Sequence, residues 1–250
     1  MSIGTGRMAS RIAEMSPRSR ARIAGAFEAV EGLTSSFGQV IVLDRLVVSG
    51  NAAVTAANIL GHERLFWWGF VSSLVGVVCH IAWTLLFYDL FKPVNKSLSL
   101  LAAFVMLVGC AFQALTAFFY LAPLLVLQGG SSLTAFTAPQ LQALALIFLK
   151  LNALAFDIDL VFFGFWCILT GYLIFRSTFL PRILGVLLAI DGLGWVTHLV
   201  PPFGRSLFPV IAVAAALAEF PLQLWLLIMG VNTQRWLEQA TAARSRPSEN

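Results

Sequence analysis

An all-α, polytopic membrane helix bundle of about six transmembrane helices, with both termini cytoplasmic, is predicted by three features of the chain. It is 59% hydrophobic and only 11% charged over 250 residues, where soluble domains run near 45–50% and about 25%. Its mean hydropathy is +0.86. Its apolar residues gather into runs of the length that crosses a ~30 Å hydrocarbon core, and short basic segments separate them. A chain this apolar cannot cover itself with polar surface in water. That excludes a cytosolic enzyme, a disordered chain and a nucleic-acid module, despite a net charge of +4.

The elements follow in order. Residues 1–22 hold Arg7, Arg11, Arg18, Arg20 and Arg22 and no apolar core, so they read as a basic cytoplasmic tail and not as a cleaved signal peptide. Residues 23–230 form the six-helix transmembrane domain. Span 1, Ala24–Leu43, is the most polar, with Glu28, Glu31, Ser35 and Gln39. Spans 2 (Leu65–Tyr88) and 3 (Leu98–Leu127) carry no Lys, Arg, Asp or Glu. Span 4, Ala153–Phe175, continues from Leu141–Leu151, which is expected to lie in the interface or stand above it. Spans 5 and 6 are Leu180–Leu199 and Phe208–Gly230. Residues 231–250 read as a cytoplasmic tail, either solvated or with Val231–Ala240 as one short helix lying on the inner surface. Leu65–Phe70 and Leu160–Phe165 echo each other and suggest a duplicated hairpin.

Orientation follows from counting. With the N-terminus inside, twelve Lys and Arg are cytoplasmic: the five above with Lys92, Lys96, Arg176, Arg182, Arg235, Arg244 and Arg246. Four lie outside: Arg45, Arg64, Lys150 and Arg205. Trp67 and Trp68 at one edge, and Tyr88, Tyr172 and Trp236 at the other, suit aromatic belts. Cys79, Cys110 and Cys167 sit in apolar runs and read as core residues.

Ionisable groups within spans carry the functional information, because each costs at least ~2.5–3.5 kcal/mol at bilayer depth. At ~1.5 Å per residue, Glu31 and Asp191 lie about 14 Å from Arg22 and Arg182 respectively, Glu219 about 16 Å from Gly230, and His80 about 18 Å from Lys92. Four spans thus contribute to one layer near the midplane. No Lys or Arg is central in any span, so these acids are expected to lack permanent cationic partners. Glu28, Glu31, Ser35 and Gln39, spaced 3, 4 and 4, form one helical stripe. Asp157 and Asp159 point about 200° apart at ~100° per residue and cannot share a cavity. One of them is expected at the outer interface. Asp157 and His198 lie nearer the outer surface.

The candidate ligand-binding, proton or cation residues are therefore Glu31, His80, Asp157, Asp191 and Glu219. Acids with His80 allow a divalent metal, but no ligand spacing compels one. The sequence leaves the cofactor open, and catalytic motifs of hydrolases, nucleotide-binding loops and dinucleotide folds are absent. An enzyme is the least supported class. Two readings remain. One is a bundle that binds or moves a proton, cation or small molecule through the carboxylate layer. The other is a non-catalytic accessory or sensor protein acting through a partner and its basic tails. Beyond the lipid bilayer no partner is specified, nucleic acid is excluded, and the oligomeric state is open.

Several stretches resemble a known family: Ala21-Arg-Ile-Ala-Gly25, Val54-Thr-Ala-Ala-Asn-Ile-Leu60, Lys92-Pro-Val-Asn95, Phe156-Asp-Ile-Asp-Leu-Val-Phe-Phe-Gly164, Gly171-Tyr-Leu-Ile-Phe-Arg-Ser177 and Phe179-Leu-Pro-Arg-Ile-Leu-Gly-Val-Leu-Leu188. They are similar to the bacterial membrane proteins of the domain of unknown function 4386 family, over roughly Arg20 to Trp236. The resemblance implies a multi-pass protein of the bacterial inner (plasma) membrane and names no activity. It also implies histidines where this chain has Asn152 and Trp166, a glycine at Asp159, and acids at Asp157 and Glu219.

Overall fold

A computed structural model describes residues 15–130 and 133–245. Arg7, Arg11 and Arg246 of the tails lie outside the described residues. Everything regular within them is helical. Helix α1 (Pro17–Ser35) runs without a break through a π-helical segment, Ser36–Val42, into the short α2 (Leu43–Leu46). Then come α3 (Ala52–Gly61), α4 (Glu63–Phe91), α5 (Lys96–Gln128), α6 (Ala138–Arg176), α7 (Arg182–Val196) with a 3₁₀ turn at Thr197–Leu199, α8 (Pro201–Ile228) and α9 (Thr233–Arg244). Helices α4, α5, α6, α7 with its turn, and α8 are five elements long and apolar enough to cross a bilayer. The first, more polar helical run is of comparable length and packs among them, which makes the six-membered polytopic bundle.

Local chemistry sets the boundaries. Ser16, Asn51, Asn95 and Asn232 cap α1, α3, α5 and α9 by accepting a backbone N–H through their side chains. Thr137 and Gln140 form a capping box that opens α6. Gly230, at φ 66°, ends α8 with its amide on the Trp225 carbonyl, a left-handed stop that favours glycine. Arg18 and Arg22, one turn apart on α1, donate to the Met229 and Ile228 carbonyls at that same helix end.

That contact joins the beginning and the end of the bundle on one face. The α4–α5 and α6–α7 loops lie there too. Trp236 of α9 donates to the Leu90 carbonyl, 2.8 Å away, and Gln239 accepts from the Thr178 amide at 3.0 Å. Of the two readings of residues 231–250, the helical one holds: Thr233–Arg244 is a helix docked on the bundle. Trp236 is an anchor packed with Phe91, Phe179 and Leu180 in the main core and not a belt residue. Trp68 and Tyr172 are 65% and 51% exposed and do suit interfacial belts.

Close packing is built on glycine where α6 meets α7. A Cβ on Gly164 would fall 2.8 Å from the Gly192 carbonyl oxygen, and one on Gly171 would fall 2.6 Å from that of Gly185. Both pairs are seven residues apart, so the antiparallel helices touch backbone to backbone along a seam. Small residues supply this approach where lipid gives no hydrophobic drive for association. In the two echoing stretches, Gly69 of α4 lies against Tyr120 of α5 and Val42, and Gly164 of α6 lies against α7.

Helix lengths are unequal, and this places the site. Helix α6 has 39 residues, about 58 Å at 1.5 Å per residue. It is one continuous helix, so the Leu141–Leu151 stretch runs on into span 4 without a break. Helix α7 with its turn has 18 residues, about 27 Å by the same rise. The α7–α8 turn therefore meets α6 near Asp157. Beyond that level α6 packs with α3 and the far ends of α4 and α5, around Ile59, Phe66, Tyr120, Leu124 and Leu149.

Candidate functional site

A cavity of about 180 Å³ opens among α1, α4, α5, α6, α7 and α8. Three acids from three helices line it: Glu31 of α1, Asp159 of α6 and Glu219 of α8. His80 and Gln113 line it from α4 and α5, and Phe156, Phe163, Trp195 and Phe208 supply aromatic wall. No Lys or Arg is among the lining residues.

One side is a fixed polar network. The Glu31 Oε1 atom accepts from the Ser35 hydroxyl and from Gln113 Nε2, each at 2.8 Å. His80 donates through Nδ1 to Gln113 Oε1 at 3.0 Å, and that nitrogen is 3.8 Å from Glu31. Donation from Nδ1 leaves Nε2, for a neutral ring, as an acceptor, and it has no hydrogen-bond partner. The imidazole stacks on Trp83, with centroids 4.7 Å apart, so it has little freedom to reorient.

The other side is more open. Trp195 donates its indole N–H to Glu219 at 3.3 Å. Asp191, wholly buried, has Glu219, Trp195 and Cys167 as its polar neighbours. Neither of its oxygens reaches hydrogen-bond geometry. Glu28, also buried, lies close enough to Glu31 and Glu219 for their charges to interact. Asp159 is 4% exposed, and its Oδ1 has no hydrogen-bond partner. So many acids without a fixed cation cannot all be charged at once. They hold protons, or a cation supplies the compensation.

Of the residues picked from the sequence, Glu31, His80 and Glu219 meet at this cavity, and Asp191 lies behind Glu219. Asp157 does not join them. Buried at 3% exposure, it accepts from His198 Nδ1 at 2.8 Å and forms an ion pair with Arg205. Both neighbouring aspartates are buried in the protein, and Asp157 lies at the level of the α7–α8 turn, the end of the bundle where the sequence placed one of them. The expected lack of basic partners is corrected for Asp157. Arg205, half-exposed in the first turn of α8, reaches inward to it from the membrane edge.

Sequence reasoning missed two cavity residues. Gln113 carries no charge and sits in an otherwise apolar run. Asp159 shares a helix face with Asn152 and Trp166, both of which are buried inward, and that face was the available signal. Asn152 donates to the Thr116 carbonyl at 2.8 Å, and Trp166 packs edge-on against Trp83. Among the described residues no three His, Cys, Asp or Glu side chains stand close enough together to hold a metal ion.

A second hollow, of about 420 Å³, lies on the far side of Phe156 and is lined by Gln39, Asp44, Lys150 and Asn152 among others. Phe156 borders both spaces. No curated protein and no solved structure matches the chain. Residues 23–230 match the family described as domain of unknown function (DUF4386), and the chain belongs to it.

Proposed function

We propose that this multi-pass membrane protein binds a cation in the cavity between α1, α6 and α8, in the bacterial inner membrane that its family resemblance implies. One observation carries the reading: carboxyl groups from three separate helices line one cavity whose lining holds no Lys or Arg. A helix–helix tether needs only a local donor for each polar group, and Asp159 Oδ1 has none. Acids that share a site without a fixed cation exchange protons against a mobile one.

The test is calorimetry on the full chain in lipid nanodiscs at pH 7.5, titrated with Na⁺, K⁺, ammonium and n-butylammonium. At least one of these is expected to bind. Glu219→Gln and Asp159→Asn each weaken that binding tenfold or more, about 1.4 kcal/mol, while the protein stays folded by its unfolding midpoint. Binding also weakens as pH falls, because protons compete for the same oxygens. Folded protein that binds none of these cations overturns the reading. So does binding that both amides leave unchanged.

A further inference from the structure

The reading above leaves the ligand's chemistry open, and the walls of the cavity narrow it. This inference rests on that reading. We propose that the cavity takes a small organic ammonium ion in preference to a bare metal ion.

Size is the first argument. A space of about 180 Å³ holds roughly six waters at ~30 Å³ each. That is too roomy to grip a dehydrated metal ion, and too small for a drug-sized molecule, whose pockets start near ~300 Å³. Dispersal is the second. A hard cation such as calcium gathers oxygens at ~2.3–2.6 Å. Here the acids are spread around the space, and no three ligating side chains among the described residues converge.

The wall is the third argument. Phe156, Phe163, Trp195 and Phe208 all line the cavity. Phe163 meets Trp195 edge-on with centroids 6.2 Å apart. Trp195 spends its N–H on Glu219, so only its ring surface is left for a ligand. Aromatic faces attract alkylammonium groups and provide contact for their carbon atoms. Asp159 and His80, each more than nine-tenths buried, line the cavity as well. Their unpartnered Oδ1 and Nε2 atoms are closed in by protein, Oδ1 against Gly109, so the ammonium head is left to the carboxyl groups of Glu31 and Glu219 that line the space.

The experiment uses the full chain in nanodiscs, with n-butylammonium and tetramethylammonium as probes. Na⁺, K⁺ and Mg²⁺ serve as metal controls, and 1-butanol as a neutral isostere. The organic ions are expected to bind at least tenfold more tightly than any metal ion, and 1-butanol to give no saturable heat. Phe163→Leu keeps the wall apolar but removes the ring. It is expected to weaken ammonium binding three- to thirty-fold, the range for a partly to fully desolvated cation–π contact, and Phe163→Tyr to restore it. Should Phe163→Leu fail to fold, the comparison of probes on the unmodified chain still decides. Binding of a metal ion without the ammonium ions overturns this proposal and leaves the cation reading standing. Equal binding of 1-butanol overturns both, as does no binding at all. Ammonium binding unchanged in folded Phe163→Leu overturns the aromatic wall as the selective element.

Discussion

Asp157 and Asp159 lie two residues apart on α6 and are almost equally buried, at 3% and 4% exposure, yet their surroundings are opposite. Asp157 faces α7 and α8, where His198 and Arg205 meet its two oxygens. Asp159 faces α5 and the cavity, where Gly109 makes room for its Oδ1 and no basic side chain reaches it. Burial alone therefore does not distinguish a structural acid from a binding acid. The partner does. A carboxylate with a permanent cation is already neutralised and ties helices together. One without a cation is available to a proton or a mobile ion.

The largest effect expected from this contrast is at Arg205. Arg205→Ala strands a buried carboxylate with only a histidine beside it, and removing one partner of such a pair costs about 3–5 kcal/mol. Thermal unfolding in detergent checks this, and Arg205→Lys should recover much of the loss. A cost below about 1 kcal/mol, the usual ceiling for an exposed pair, breaks the comparison at its structural end. A smaller effect is expected from the aspartates themselves. Asp157→Asn should cost about 1–3 kcal/mol, since it leaves polar partners poorly satisfied. Arg205 is half-exposed and can rehydrate, which keeps the figure below that for Arg205→Ala. Asp159→Asn should change stability by less than about 0.5 kcal/mol, because it removes no partner, while weakening cation binding tenfold or more. If Asp159→Asn proves the more destabilising of the two, the division of roles is wrong.

Much of this arrangement was legible before any coordinates. Charge-bounded apolar runs marked the helices. Depth counting brought Glu31, His80, Asp191 and Glu219 to one level, and ~100° per residue separated Asp157 from Asp159. What escaped had physical causes. Counting along a helix locates a Cα and not the tip of a long side chain, so Arg205 was assigned to the loop when its guanidinium enters the bundle. Gln113 orients both Glu31 and His80, but an uncharged amide in an apolar run leaves no mark in a search for charge. The C-terminal helix is too polar to stand out by hydropathy, and it docks through the buried indole of Trp236 and the Gln239–Thr178 contacts, which no hydropathy count shows.

The smallest expected effect concerns Gln39, a residue that the sequence placed on one stripe with Glu31 and the backbone turned away from it. Glu31, Ser35 and Gln39 are spaced as one stripe of a regular α-helix. From Ser36 to Val42, however, the chain is π-helical, with about one more residue per turn than the α-helix. The change of phase comes just after Ser35, where Gly38 lets α1 approach α4 so closely that a Cβ would meet the Gly69 carbonyl at 2.7 Å. Ser35 keeps its place on the cavity and donates to Glu31. Gln39 turns to the hollow beyond Phe156. Gln39→Ala should therefore leave stability within about 0.5 kcal/mol and ammonium affinity within twofold, whereas Ser35→Ala, which frees the Glu31 carboxylate, should shift that affinity measurably. Calorimetry on the two variants side by side makes the check. Equal effects would mean that the stripe operates as a regular helix and that the π-helical turn does not set which side chains reach the cavity.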